Sequence, residues 1–260
     1  MNAAASAFEV RPLFEHFAAT HRVYALDLPG YGFSARDTRV YTPRTMTDAI
    51  LATRDVIADD CGRASPDALA VSLSCEFLAR AAVQRPAAFR SLALVSPTAF
   101  GGRKLRLGPP SGNLGLPRLH RVLASDLLGD RLFNALTRPG VIRYFLQKTW
   151  GSKQISEPMW RYACASARMP GARHAPLYFL SGFLFSADAF SLYQALVQPV
   201  WMSHGIRGDF TDYRHQEQFA QKPNWRFTQY PTGALPYFEV TADFTRDYAG
   251  FLRAVADSQN

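Results

Sequence analysis

Ser72 is the residue whose type and setting most clearly suit it for chemistry. It lies within residues 67–86, DALAVSLSCEFLARAAVQRP. The run Ala68-Leu69-Ala70-Val71 reads as a buried strand. The cluster Ser72-Leu73-Ser74-Cys75 reads as a sharp turn, and the Ala-rich stretch up to Gln84, stopped by Pro86, as a helix. A serine on such a turn has the geometry of a nucleophile elbow. Its hydroxyl is lifted above the carboxyl edge of a sheet, and the helix N-terminus beside it favours negative charge. The usual spelling is G-x-S-x-G; here it is Ala70-Val71-Ser72-Leu73-Ser74, with small residues in place of both glycines. Serine alone is a poor nucleophile, so the chemistry also requires a neighbouring base. The bland use of Ser72 is as a small residue that a tight turn demands. Cys75 is expected to be a buried thiol, and Glu76 to be an acid stabilised by the helix dipole in the first turn.

The elements that would position this turn alternate between strand and helix. Residues 6–20 carry a helix-like apolar face, and Pro12 falls in its first turn. Residues 22–26, RVYAL, read as a short strand. The Gly- and Pro-rich segment 27–34 follows as a tight loop, tied by Asp27 and Ser34. Residues 45–59 read as a helix, and SLALV at 91–95 as a buried parallel strand. Residues 116–196 are helical in pattern and strongly aromatic. Strands follow at 200–203 and 225–230, and an amphipathic helix at 240–255. This order predicts an α/β fold, with a mostly parallel sheet covered on both faces and one helical insertion.

Composition narrows the function classes. The chain has 260 residues, 48% of them hydrophobic, and a net charge of +8. Of its 29 basic residues only four are lysine, and the arginines are scattered. No basic stripe or recognition motif marks a nucleic-acid surface, so no nucleic-acid partner is expected. Cys61, Cys75 and Cys164 are far apart and odd in number, with no metal-ligand spacing. Reduced thiols in a cytoplasmic protein, with no metal and no cofactor, are the expectation. The first residues lack the basic and apolar regions of a signal peptide, and no apolar run reaches membrane-spanning length.

Taken in order, these segments resemble the α/β-hydrolase superfamily. RVYALDLPGYGFS is similar to that family's D-x-P-G-x-G-x-S segment, and Ser72 falls at its elbow. SLALVSP resembles the strand after the elbow, and the helical insertion resembles a cap. PVWMSHGIRGD is similar to the strand whose end supplies the acid. TGALPYFEVTADFTRDYAGFL resembles the final strand–loop–helix, where the usual text is G-x-G-H-L-P. The resemblance implies a core of residues 1–100 and 197–260, with a cap at 101–196. It implies Ser72 as nucleophile and Asp209 as the acid that orients an imidazole, with Asp212 the nearby alternative. It places one oxyanion-hole donor at Leu73 and the other in a loop at the start of the chain, at Met1.

Two departures accompany the resemblance. The base position falls on Ala234, and an alanine cannot accept a proton. His204, ending the acid strand, is the best-placed substitute, with His215 next. The family also places three strands before the one read at residues 22–26, the third lying between the strands that carry Asp27 and Ser72. The fold is therefore expected to be N-terminally incomplete, with the natural start upstream of Met1. The first functional expectation is a hydrolase of an ester or related acyl bond, with an apolar small-molecule substrate and a degenerate triad. The alternative is a non-catalytic pseudo-hydrolase serving as a ligand-binding or scaffold protein. A lyase or C–C bond hydrolase ranks lowest, because such chemistry also uses a base.

Overall fold

The computed structural model describes residues 6–62, 65–125 and 128–258. Four parallel strands form one sheet in the order β1-β2-β3-β4: Asp67–Val71, Ser91–Val95, Val200–Gly205 and Trp225–Tyr230. Every residue of β2 and β3 is buried, as expected of parallel strands covered on both faces. Alternate side chains divide between two cores. Val71, Ala93, Val95 and Trp201 face one side; Ala70, Leu92, Leu94, Val200 and Met202 face the other.

A 3₁₀ turn, Ala7–Val10, leads into α1, Arg11–Phe17; α2 is Pro43–Cys61 and α3 is Ser74–Gln84. Thr42 caps α2, its hydroxyl accepting from the Thr45 N–H, and Gly62 ends the helix in the left-handed region. Between β2 and β3 the chain forms α4, Pro117–Leu123; α5, Gly129–Leu136; and α6, Pro139–Trp150. It continues through α7, Glu157–Ser166; α8, His174–Leu180; and α9, Ala189–Gln194. After β4 come α10, Pro236–Glu239, and α11, Thr241–Asp257. Phe244, Tyr248, Phe251 and Val255 recur at helical spacing on α11 and pack on the Trp201 face, where the Tyr248 and Trp201 rings stack. The other face takes α3 and the end of the insertion: Phe190, Tyr193 and Leu196 join Leu78 and Leu92.

One expectation fails. Residues 22–26 form no strand. Their apolar pattern is real, but β1 pairs only with β2, and residues 22–27 make no backbone hydrogen bond among the described residues. A strand needs a ladder partner, and this segment has none. The loop that follows is built as expected. Asp27 accepts from the N–H of Ala7 at 2.6 Å and of Phe33 at 2.8 Å. Gly32 has φ +52, and a Cβ there would lie 2.0 Å from the Asp27 carboxylate, so glycine is required.

Candidate active site

The turn at Ser72 is strained in the way its sequence suggests. Ser72 has φ +54, in the left-handed region that costs an L-residue about 1–2 kcal/mol. Leu73 then turns the chain into α3 with φ −61. The Ser72 N–H is held by the Val95 carbonyl at 2.8 Å, which locks the turn to the carboxyl end of β2. The N–H of Leu73 donates to no group among the described residues. Ser72→Gly is expected to stabilise the protein by about 1 kcal/mol in denaturant titration, because glycine accepts this φ at no steric cost. Ser96, Ala99 and Ser111 share this left-handed region.

Ala234 is 6% exposed and lies between β4 and α10. Its carbonyl accepts from Ser96 Oγ at 2.7 Å, and its N–H donates to the Thr149 carbonyl at 2.9 Å. The loop is thus fixed by its backbone beside the carboxyl end of β2, with an alanine where a base is expected. His204 ends β3 but is spent elsewhere. Its ring stacks on Tyr213 at 3.9 Å, Nδ1–H donates to the Gly205 carbonyl at 3.0 Å, and Nε2 lies 3.1 Å from the Gln216 side-chain amide. His215 pairs through Nε2 with the Gly102 carbonyl at 3.0 Å. No hydrogen bond joins Ser72 Oγ to an imidazole among the described residues.

Asp209 is half-exposed and faces Lys148 Nζ at 3.5 Å, at the end of α6. Its N–H also donates to the Lys148 carbonyl. Asp212 accepts from Arg214 and from the Gly102 N–H; these bonds pull its carboxyl down to about 2. Ser72, Leu73 and Ala234 therefore belong to the carboxyl edge, whereas Asp209 is engaged with the insertion. Met1 lies outside the described residues. The C-terminus of α6 packs on both loops at once: a Cβ on Gly233 would strike the Trp150 backbone at 2.5 Å, and one on Gly208 the Lys148 carbonyl at 2.5 Å.

Two buried carboxylates tie the insertion to the elbow helix; the sequence reading took Glu76 only for a helix-dipole acid and did not single out Asp188. Glu76 is fully buried. It accepts from Thr98, from Arg106 Nη2 at 2.6 Å and from the Ser186 N–H at 2.8 Å. Burial raises its pKa, and Arg106 opposes the shift. One turn on, Arg80 makes a bidentate pair with Asp188, which also accepts from the Ser111 N–H. The spacing of Glu76 and Arg80 on one helix face was the available signal. Cys75 is buried, as expected, and desolvation pushes its thiol up.

Among the described residues no group of three or more His, Cys, Asp or Glu could hold a metal ion, and no helix is long and apolar enough to cross a membrane. The sequence matches no protein-family model and no curated protein. Solved structures do match. The chain is similar to the 2-hydroxy-6-oxo-6-phenylhexa-2,4-dienoate hydrolase of Rhodococcus sp. strain RHA1, with a TM-score of 0.71 and 17% identity over 97% of this chain and 88% of that one. It is similar to a thermophilic esterase from Thermogutta terrifontis, with a TM-score of 0.71 and 17% identity over 96% and 86%. An esterase from Exiguobacterium antarcticum matches with a TM-score of 0.71 and 13% identity over 97% and 90%. At these identities the likeness is one of fold.

Proposed function

We propose that this chain, which has the α/β-hydrolase fold, is a hydrolase of an ester or related acyl bond with a degenerate triad. Ser72 is its acyl acceptor and the Leu73 N–H its oxyanion donor. The helical insertion serves as a cap over residues 101–196, closing a core of residues 1–100 and 197–260 and selecting a small molecule with an apolar group. The observation that carries this reading is the elbow itself: a serine at φ +54 beside an N–H that donates to no group among the described residues. The solved hydrolases and esterases of the same fold support it. With alanine at 234 and no imidazole on Ser72 among the described residues, proton transfer is the weak step. A site that lacks one triad member still keeps about 10³–10⁴-fold catalysis over water from its oxyanion hole and binding.

The sequestered His204 favours a second reading, a pseudo-hydrolase that binds its ligand without turnover. Fluorophosphonate labelling separates the two. The enzyme reading expects one adduct, on Ser72, absent in Ser72→Ala. A folded protein that binds an apolar ester yet takes no label is the binding protein.

A further inference from the structure

The outer surface of the insertion gathers exposed aliphatic side chains around α4. The chain leading into this helix is laced to the segment after α8: the Leu114 N–H donates to the Phe185 carbonyl at 3.0 Å, and the Leu116 N–H to the Ser181 carbonyl at 2.9 Å. Leu180 is thereby set beside Leu116. Leu114, Leu116, Leu119, Val122 and Leu180 are 38–57% exposed. The helix itself has two sides. His120 turns inward: its ring packs on Tyr178 at 3.9 Å and on Phe183 at 5.4 Å, and Nδ1 lies 3.0 Å from Ser181 Oγ. At about 100° per residue, Arg118, Leu119, Arg121 and Val122 point away from that contact, and all four are exposed. The charge here has one sign. Residues 101–125 hold five basic residues and no acidic one. Arg106 is spent on Glu76 inside the protein. Arg118 and Arg121 make no ion pair or side-chain hydrogen bond among the described residues. Arginines flanking Leu119 and Val122 can lay their stems along the apolar surface and carry their guanidinium groups to its rim.

We propose that α4 and the leucines around it form a docking surface for an anionic lipid bilayer. The helix lies in the interface. Leu116, Leu119, Val122 and Leu180 enter the boundary of the acyl chains, and Arg118 and Arg121 meet lipid phosphates. Two other occupants fit less well. Single-stranded nucleic acid is held by basic side chains together with aromatic platforms for its bases, and this face offers aliphatic groups instead. A second copy docked about a two-fold axis would set one basic face against another. An anionic bilayer satisfies both halves of the face, charge and apolar area. Docking of this kind is independent of turnover at Ser72.

Co-sedimentation tests this with the chain as given, vesicles of phosphatidylcholine, and vesicles in which about one-third of the lipid is phosphatidylglycerol. Binding is expected to the anionic vesicles, about tenfold or more weaker to the zwitterionic ones, and weakened by about 0.5 M salt. Arg118→Ala with Arg121→Ala should lower affinity about thirty-fold, at roughly fivefold per basic side chain. Leu119→Asp with Val122→Asp should lower it about tenfold or more. Arg226 and Arg253 are exposed on β4 and α11. Replacing both by alanine removes the same charge elsewhere and should leave affinity within about twofold. Where an α4 variant does not fold, amide exchange of the unmodified protein decides: anionic vesicles should slow exchange in residues 118–123 and leave residues 225–230 unchanged. Equal binding to both vesicle types, no binding, unchanged binding in either folded α4 variant, an equal loss in the Arg226 and Arg253 variant, or no protection of α4 overturns the proposal. So does a dimer in solution that Leu119→Asp with Val122→Asp dissolves, because it assigns the face to a second copy.

Discussion

Ala234→His is expected to raise ester hydrolysis by about 10²-fold or more, the range a positioned general base contributes. The loop bearing Ala234 is already fixed at the carboxyl edge by Ser96 and Thr149, so a new side chain there starts from an ordered backbone. A neutral imidazole would accept the Ser72 proton, so the rate should climb with pH through the ordinary histidine range near about 6.5. Adding Lys148→Ala should raise the rate further. It removes the cation that faces Asp209 and frees that carboxylate to orient the imidazole. Steady-state kinetics with a p-nitrophenyl ester read all three changes. Ser72→Ala in the same background should return the rate to that of the unmodified chain. A folded Ala234→His protein with no gain would place this loop outside the site.

Asp188→Ala is expected to cost about 3–5 kcal/mol in urea titration, because it strands the Arg80 guanidinium in the core. The side chains of this pair are only 5% and 6% exposed. The Arg143–Glu157 pair, in which Nη2 alone meets both carboxylate oxygens, is 34% and 48% exposed, and breaking it should cost less than about 1 kcal/mol. Replacing both partners, Arg80→Met with Asp188→Leu, should recover most of the loss, since the desolvation cost disappears with the charges. The consequence for function is local. Arg80 and Glu76 bind the insertion to α3, the helix that follows Ser72, so the single variant should also lower Ser72 labelling, whereas the double variant should restore it.

Much of the fold was legible because the informative signals are local. SLALV is a continuous apolar run, and it is β2; the amphipathic periodicity at residues 240–255 becomes α11. The turn at Ser72 was readable from small residues between a strand and a helix. What escaped depends on distant chain. Residues 22–26 have a strand's composition but no partner for their backbone among the described residues. Glu76 has the position of a helix-dipole acid, yet its partners Arg106 and Ser186 lie 30 and 110 residues away. Asp209 follows a glycine in a turn, as an orienting acid can, but packing of Gly208 against Gly151 and the pull of Lys148 set its direction. His204 stands at the right edge of the sheet, while Tyr213 and Gln216, contributed by the following segment, decide where its ring lies.

Acyl transfer to Ser72 can be seen directly by intact-mass spectrometry after brief exposure to an activated medium-chain p-nitrophenyl ester. A good leaving group lessens the need for a base in acylation, whereas hydrolysis of the adduct still needs one. The expected result is a single acyl adduct, mapped to Ser72 and decaying slowly, that is absent in Ser72→Ala and short-lived in Ala234→His. A folded protein that stays unmodified, or carries the acyl group on any other residue, would contradict a nucleophilic role for Ser72.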